Sequence, residues 1–461
     1  MKTNWINREV LIIGAARQGL ALARYLSKHG ANVTLNDGRP EGDLQSAIEQ
    51  LTDVSIHWVL GGHPLEILNG IDLVCVSGGV PLDIPLIIEA TRRNIPLSND
   101  SQIFMEAVTC PVMAITGSAG KTTTTSLMGD IAKKAAGSDQ KIWVGGNIGN
   151  PLINQLDEIT HNDLVILELS SFQLELMTKS PQIAVITNIT PNHLDRHGTL
   201  EAYTAAKANI LKYQSINDVA ILNRDDPGSF NLRGMVKGNL ISFGISQLSR
   251  HEEGTFLQND SIWMRQNGQL IEICSLKDIP LRGEHNVYNV LAACAISSVL
   301  GFKPALIKDA ILAFKGVPHR LQFVREWNGI QWFDDSIATA PERSMAAISA
   351  FHEPIVLLLG GKDKNLPWEK LLQLTNEKVD HVILFGASAE KIYNYIQTMK
   401  IENLKFTVDI CNHLQEAVIT ASKIAEPGDI VLLSPGGTSY DEFKDFEERG
   451  ERFQAWVQQL Q

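Results

Sequence analysis

An apolar run, Pro111-Val112-Met113-Ala114-Ile115, leads directly into Thr116-Gly117-Ser118-Ala119-Gly120-Lys121-Thr122-Thr123-Thr124, and a helix-compatible segment follows from Thr122 to Lys134. A buried strand, a Gly-rich turn and an immediate helix constrain the fold more than any other feature, because that succession calls for a parallel sheet with helices on its faces. It also implies a chemistry. The N–H groups of such a turn converge on phosphate oxygens, the helix dipole favours negative charge, and a Lys reaches the outer phosphates. Ile115 stands where the strict G-x-x-x-x-G-K-[ST] pattern has its first Gly, so the turn alone also admits a loop without a ligand.

Similar alternations of short β-rich runs and helical patterns occupy the rest of the chain, which predicts an α/β protein with Rossmann-like ends around a P-loop-type centre. At 461 residues it exceeds one core, and three domains are expected at 1–99, 100–316 and 317–461. The first begins with Val10 to Ile13, the turn Gly14-Ala15-Ala16-Arg17-Gln18-Gly19, a helix from Leu20 to Lys28, a strand from Asn32 to Asn36 ending at Asp37, and Leu73 to Val76 leading into Ser77-Gly78-Gly79-Val80. The second adds strands at Leu164 to Leu167 and Ala184 to Thr187, inserted hairpins across the polar stretch Ser246 to Asn267, and a helix at Tyr288 to Leu300. Lys315-Gly316-Val317-Pro318 reads as a hinge, and strands follow at Ile355 to Leu359, His381 to Phe385 and Ile430 to Leu433.

A net charge of −12 argues against broad nucleic-acid or anionic-membrane binding while leaving room for local basic pockets. Cys75, Cys110, Cys274, Cys294 and Cys411 show no C-x-x-C spacing and read as buried thiols in a reducing compartment. Met1-Lys2-Thr3-Asn4-Trp5 lacks an apolar leader core, and no run approaches a membrane span, so a cytoplasmic monomer is expected.

The opening turn, with Asp37 after the next strand, is a weak dinucleotide fingerprint. Ala16 replaces the Gly that lets a pyrophosphate approach, which favours a nucleotide-sugar site or a structural turn over NAD. Glu168 follows a buried strand, where open α/β sheets bind ligands, and beside a phosphate loop it is a candidate Mg²⁺ ligand; alone it would equally read as an exposed strand end. Thr187-Asn188-Ile189-Thr190-Pro191-Asn192-His193-Leu194-Asp195-Arg196 and Ala205-Ala206-Lys207 add more polar groups than a solvated turn needs.

These stretches, with Leu167-Glu168-Leu169-Ser170-Ser171-Phe172-Gln173-Leu174 and Gly283-Glu284-His285-Asn286…Asn289, resemble the Mur ligases, which build the peptide of bacterial peptidoglycan. The resemblance spans essentially the whole chain. Asp335-Ser336-Ile337-Ala338-Thr339 and the ending from Leu433 to Gly450 are similar to the glutamate-adding members. It implies that ATP phosphorylates the carboxylate of UDP-MurNAc-L-Ala and that the amine of glutamate attacks the acyl phosphate. Gly117, Ser118, Ala119, Gly120, Lys121, Thr122 and Thr123 would hold ATP phosphates, Asn286 and Asn289 the adenine side, and Arg320 and Asp335 would add contacts from the third domain. Two Mg²⁺ sites would draw on Thr122, Glu168, His193 and Lys207, the last as a carbamate, and Lys121, His193 and Lys207 would carry catalysis. Arg17, Gln18, Asp37, Gly38, Arg39, Gly79, Asn147 and Ser170 would face the UDP substrate, and Thr339, Lys364, Ser439 and Phe446 the glutamate.

Some positions depart from the family. Ile337 and Ala340 flank Ala338-Thr339 where Lys and Asn are common, Asn192 replaces an acid before His193, and Gly38 stands where a hydroxyl residue is common. The first pair leaves open L-glutamate in place of D-glutamate. Another Mur-type ligase and a P-loop regulator are the competing readings. Because an acyl phosphate hydrolyses in a wet cleft, closure of the third domain over ATP is expected, with Gly316 at the hinge.

Overall fold

Three sheets gather these runs, each with apolar strands covered by helices. The computed structural model describes residues 4–364, 366–398 and 404–461; Met1 to Thr3, part of the stretch read for a leader, lie outside the described residues. The first sheet holds β1 (Glu9–Ile13), β2 (Asn32–Asp37), β3 (Ile56–Leu60), β4 (Leu73–Val76) and β5 (Leu97–Ser98), all parallel, in the order β3-β2-β1-β4-β5. The chain reverses its winding direction beside β1, so the turn after β1 and the turn after β4 meet at the carboxyl edge, where such sheets take ligands.

The second sheet is built from β6 (Val112–Thr116), β7 (Ile142–Gly146), β8 (Leu164–Glu168), β9 (Ile183–Ile186), β10 (Val219–Asn223), β11 (Asn239–Phe243), β12 (Gly254–Gln258), β13 (Ser261–Gln266) and β14 (Gln269–Ser275). Their order is β14-β13-β12-β11-β10-β9-β6-β8-β7, with β6 paired in parallel to both β8 and β9. The phosphate-type turn therefore leaves the middle of the sheet between the strand that ends at Glu168 and the one that leads to Thr187. The antiparallel hairpins occupy Gly254 to Ser275 rather than Ser246 to Asn267, because Ser246 to Glu253 serve as the connection into β12.

In the third sheet, β15 (Gln322–Trp327), β16 (Ile330–Asp334), β17 (Ile355–Gly360), β18 (His381–Phe385), β19 (Thr407–Cys411) and β20 (Ile430–Gly436) lie in the order β15-β16-β20-β17-β18-β19. Among the described residues of this sheet, β15 and β16 pair antiparallel and the other neighbouring strands pair parallel.

The first two sheets belong to one compact unit, Met1–Ile279 with His285–Ala313, and the third to another, Pro280–Glu284 with Phe314–Gln461. One hydrophobic core runs through the first unit from Trp5 and Leu35 to Val165 and Leu222. In the second unit, Arg282 pairs with Glu353 and donates to Gln331 Oε1 at 3.0 Å. Its guanidinium lies over the rings of Phe333 and Phe351, 5.4 and 5.3 Å from their centroids. Cys75, Cys110, Cys274 and Cys294 are buried free thiols, and Cys411 is partly exposed. Among the described residues no helix is long and apolar enough to cross a membrane.

Candidate active site

The turn after β6 is shaped by two glycines that tolerate no side chain. A Cβ on Gly117 (φ 156°) would lie 1.9 Å from Thr187 Oγ1, and one on Gly120 (φ 81°) 2.3 Å from Asn289 Oδ1. Its backbone is braced from the strand-end β9 side. Thr187 Oγ1 donates to the Ala119 carbonyl at 2.7 Å, Asn188 Oδ1 accepts from the Ala119 N–H at 2.8 Å, and Ser118 Oγ donates to the Thr190 carbonyl at 2.9 Å. This bracing is the task of the polar run after β9, and its partners are backbone groups that sequence alone cannot identify.

Lys121 opens the helix Lys121–Ala135, and its Nζ donates to the carbonyls of Gly117 and Ser118 at 2.9 and 3.3 Å. Thr122 and Thr123 lie in the same first turn. Lys207, 1% exposed on the helix Leu200–Lys212, donates to the same Gly117 carbonyl at 2.9 Å and to Thr116 Oγ1 at 3.3 Å. Its Nζ also stands 4.7 Å above the Tyr203 ring. Burial, then the charge of Lys121, pushes the Lys207 ammonium well below its ordinary value, with Glu168 opposing.

Glu168 ends β8 and is 1% exposed rather than a solvated strand end. Its Oε1 accepts from Asn147 Nδ2 at 2.8 Å, while the buried Oε2 has no hydrogen-bond partner among the described residues. A buried, open carboxylate oxygen beside a phosphate turn suits a hard divalent cation. No group of three or more His, Cys, Asp and Glu side chains among the described residues could hold a metal. A cation at Glu168 would therefore complete its shell with hydroxyl, phosphate or water oxygens, as Mg²⁺ does.

Asn286 and Asn289 sit on the helix Glu284–Val299, joined by a 2.9 Å hydrogen bond, and Thr124 Oγ1 donates to Asn289 Oδ1 at 3.3 Å. His193 follows the polar run after β9 in the left-handed region (φ 52°), its ring and that of Phe172 meeting edge-to-face with centroids 5.1 Å apart.

In the first sheet Asp37 accepts from the Ala15 N–H at 2.8 Å and from Arg39 Nε and Nη2 at 2.9 and 2.8 Å. The Arg39 hydrogen bond comes first in holding its carboxyl down to about 2. Through these bonds Asp37 ties the glycine turn after β1 to Arg39. Gly38 packs beside His63, which bonds Asn36, and Gln18 and Gly79 line the turns after β1 and β4. Asn147 joins the sheets: its carbonyl accepts from Arg17 Nη2 at 3.3 Å while its amide holds Glu168. Ser170 caps the helix Ser171–Glu175 in a capping box with Gln173. A cavity of about 600 Å³ opens beside Arg17 and Arg39 and extends to Ala47, Gln50, Asn154 and Gln155.

The second unit carries its own cluster. Asp335 follows β16, fully buried, accepting from the Leu321 N–H at 3.2 Å and Ser434 Oγ at 2.8 Å; burial pushes its carboxyl up to about 7. The neighbouring Arg320 favours its charged form. Lys362 and Thr438 exchange backbone hydrogen bonds at 2.8 and 2.9 Å, which joins the loop bearing Lys364 to the one bearing Ser439. Arg449, 0% exposed, donates to the carbonyls of Ser336 at 2.8 Å and Gly437 at 3.1 Å, holding the Thr339 loop against the end of β20. Phe446 meets His319 edge-on at 6.3 Å. The sequence does not reveal this bracing role of Arg449, because its partners are backbone carbonyls 12 and 113 residues away.

The same layout occurs in known proteins. Residues 8–99 match the Mur ligase MurD-like N-terminal domain, 115–297 the Mur ligase middle domain, and 319–437 the Mur ligase glutamate ligase domain. The UDP-N-acetylmuramoylalanine–D-glutamate ligase of Acetivibrio thermocellus is 38% identical over 458 residues, covering 99% of this chain and 97% of that protein. The chain belongs to the Mur ligase family. The similarly named Mur ligase of Geotalea uraniireducens is 39% identical over 457 residues, covering 99% of this chain and 98% of its own. Among solved Mur ligases, UDP-N-acetylmuramate-alanine ligase MurC from Thermotoga maritima superposes with a TM-score of 0.58 at 21% identity, covering 98% of this chain and 99% of its own. MurF from the same organism, solved with ADP, gives 0.55 at 18% identity, with 99% of each chain covered. At those identities the structures speak for the fold alone.

Proposed function

We propose that this Mur ligase is an ATP-dependent amide ligase that joins D-glutamate to UDP-N-acetylmuramoyl-L-alanine in peptidoglycan precursor synthesis. The reading is carried by one observation: Lys121 and Lys207 converge on the Gly117 carbonyl, beside a turn braced to receive phosphate. The curated relatives named for D-glutamate favour that enantiomer over L-glutamate, although Ile337 and Ala340 depart from the usual pattern.

In this reading the N–H groups from Gly117 to Thr123 cradle the phosphates of ATP, and Lys121 turns from its own loop toward them. Asn286 and Asn289 lie toward the adenine. Thr122 and Glu168 would hold one Mg²⁺, and His193 and Lys207 a second; bound there, the cations neutralise phosphate and acyl-phosphate charge. The acceptor carboxylate takes the γ-phosphoryl group, the glutamate amine attacks the carbonyl carbon, and phosphate leaves as the tetrahedral intermediate collapses. Positioning and charge neutralisation supply most of the acceleration.

A lowered Lys207 ammonium populates the free amine that adds to CO₂, giving a carbamate and a proton. The anionic carbamate then replaces a cation that would repel Mg²⁺. The cavity beside Arg17 and Arg39 has the size and polarity for the nucleotide end of the acceptor, with Gln18, Asp37, Gly38, Gly79, Asn147 and Ser170 along its path. Thr339, Lys364, Ser439 and Phe446 form the glutamate pocket, where a cation and hydroxyls meet a dicarboxylate. The enzyme acts as a cytoplasmic monomer.

The test is product formation from UDP-MurNAc-L-Ala with D-glutamate against L-glutamate. ADP release that needs the acceptor and D-glutamate together supports the proposal. Release without either substrate, or faster product with L-glutamate, overturns it.

A further inference from the structure

Val80 lies in the turn after β4 of the first sheet and His193 in the stretch after β9 of the second, yet one side chain reaches both neighbourhoods. Arg196, on the short helix Leu194–His197, donates from Nη2 to the Val80 carbonyl. Its guanidinium lies over the Phe172 ring, 5.0 Å from the centroid. His197 stacks on that ring at 5.3 Å with the planes 5° apart, and His193 lies edge-to-face with it, the centroids 5.1 Å apart. Phe172 sits on the capped helix that follows Glu168, so the platform is anchored to the strand bearing the open carboxylate.

Both ends of this link are held further. The Val80 N–H donates to the Ser77 carbonyl at 2.9 Å, and Ser77 Oγ donates to the Gly14 carbonyl at 3.0 Å, so the turn after β4 is wired to the turn after β1. At the other end His193 keeps a left-handed backbone, which a non-glycine residue holds only where its surroundings fix it. A guanidinium suits this place because it can stack flat on a ring and still donate in its own plane, which an ammonium cannot do.

We infer that Arg196 is a positioning residue: through Phe172 and the Val80 carbonyl it keeps the acceptor-side turn of the first sheet in register with the turn that presents His193. What the two turns hold rests on the ligase reading; the link itself does not.

The experiment compares wild type with Arg196→Gln, Arg196→Lys, Phe172→Leu and the Arg196→Gln/Phe172→Leu pair, by steady-state kinetics and by amide hydrogen exchange. Arg196→Gln should raise KM for UDP-MurNAc-L-Ala about tenfold, leave KM for ATP within about twofold, and speed exchange at Ser77 to Val80. Arg196→Lys should fall between it and wild type, and the double variant should be no worse than the more damaged single one. Equal losses against acceptor and ATP would mark a merely structural role and overturn the inference, as would unchanged acceptor KM with unchanged exchange. If wild type does not turn over UDP-MurNAc-L-Ala, the ligase reading fails, while exchange at Ser77 to Val80 still decides for or against Arg196. If Arg196→Gln does not fold, Arg196→Lys and Phe172→Leu carry the same comparison.

Discussion

Two lysines on one carbonyl oxygen cannot both stay charged without cost, and the buried one yields. Lys121 can swing out to phosphate, whereas Lys207 is enclosed between Thr116, Gly117 and the Tyr203 ring. Lys121→Ala should lower turnover by about two to three orders of magnitude, as loss of transition-state charge stabilisation does, with an unchanged melting temperature. Turnover near that of wild type in the folded variant would refute the role. Lys207→Ala should be nearly inactive and partly recovered by short-chain carboxylates, which can supply the missing oxygens; rescue assays and a mass shift on intact Lys207 check this. Asp335 gives a pH signature. Its carboxyl is raised to about 7, so the folded chain keeps a proton that the unfolded chain releases near pH 4. This group therefore favours folding at low pH, and its contribution declines as pH rises toward about 7. Asp335→Asn should flatten that slope in melting curves of the second unit and raise its melting temperature at pH 8. The types of these residues were legible in the sequence, since a Lys after Gly-x-x-Gly and an acid at a strand end carry their own chemistry. The residues that hold them were not: Thr187, Asn188 and Arg449 act on backbone groups between 12 and 113 residues away.

At the scale of elements, the strands easiest to read were the wholly apolar ones at sheet centres. β1, β4, β6, β8, β17, β18 and β20 are buried along nearly their whole length, so a continuous apolar run announces them. β3, β15 and β19 lie at sheet edges with mixed burial, and their patterns resemble polar connections. The helix after the glycine turn of the first sheet begins at Arg17 rather than Leu20, because polar residues occupy its solvent-facing first turn. In the phosphate-type turn each glycine answers to a neighbour. Gly120→Ala would place a methyl 2.3 Å from Asn289 Oδ1 in a left-handed conformation. It should abolish ATP binding by calorimetry and destabilise the first unit by about 1–3 kcal/mol.

At the scale of the molecule, cooperative unfolding should follow the two compact units rather than the three sheets. The first and second sheets share one core and are linked by Asn99 to the Gln173 carbonyl, Gln173 to Ser101, and Arg17 to the Asn147 carbonyl. Calorimetry should resolve two transitions, with residues 1–99 melting together with the second sheet. A third transition belonging to the first sheet alone would disprove this. The family resemblance gave three domains, but not that two of them share a core, since burial across sheets leaves no motif.

The short stretch Pro280–Glu284 belongs with the third sheet although the chain then returns to the first unit as far as Ala313. On the ribosome, Arg282 emerges well before Phe333, Phe351 and Glu353, the groups it will cover. A carboxyl-terminal fragment begun at residue 314, as domain boundaries would suggest, lacks that cover. It should expose the Phe333–Phe351 pair, bind hydrophobic dyes and aggregate, and a synthetic peptide carrying residues 280–284 should restore its solubility.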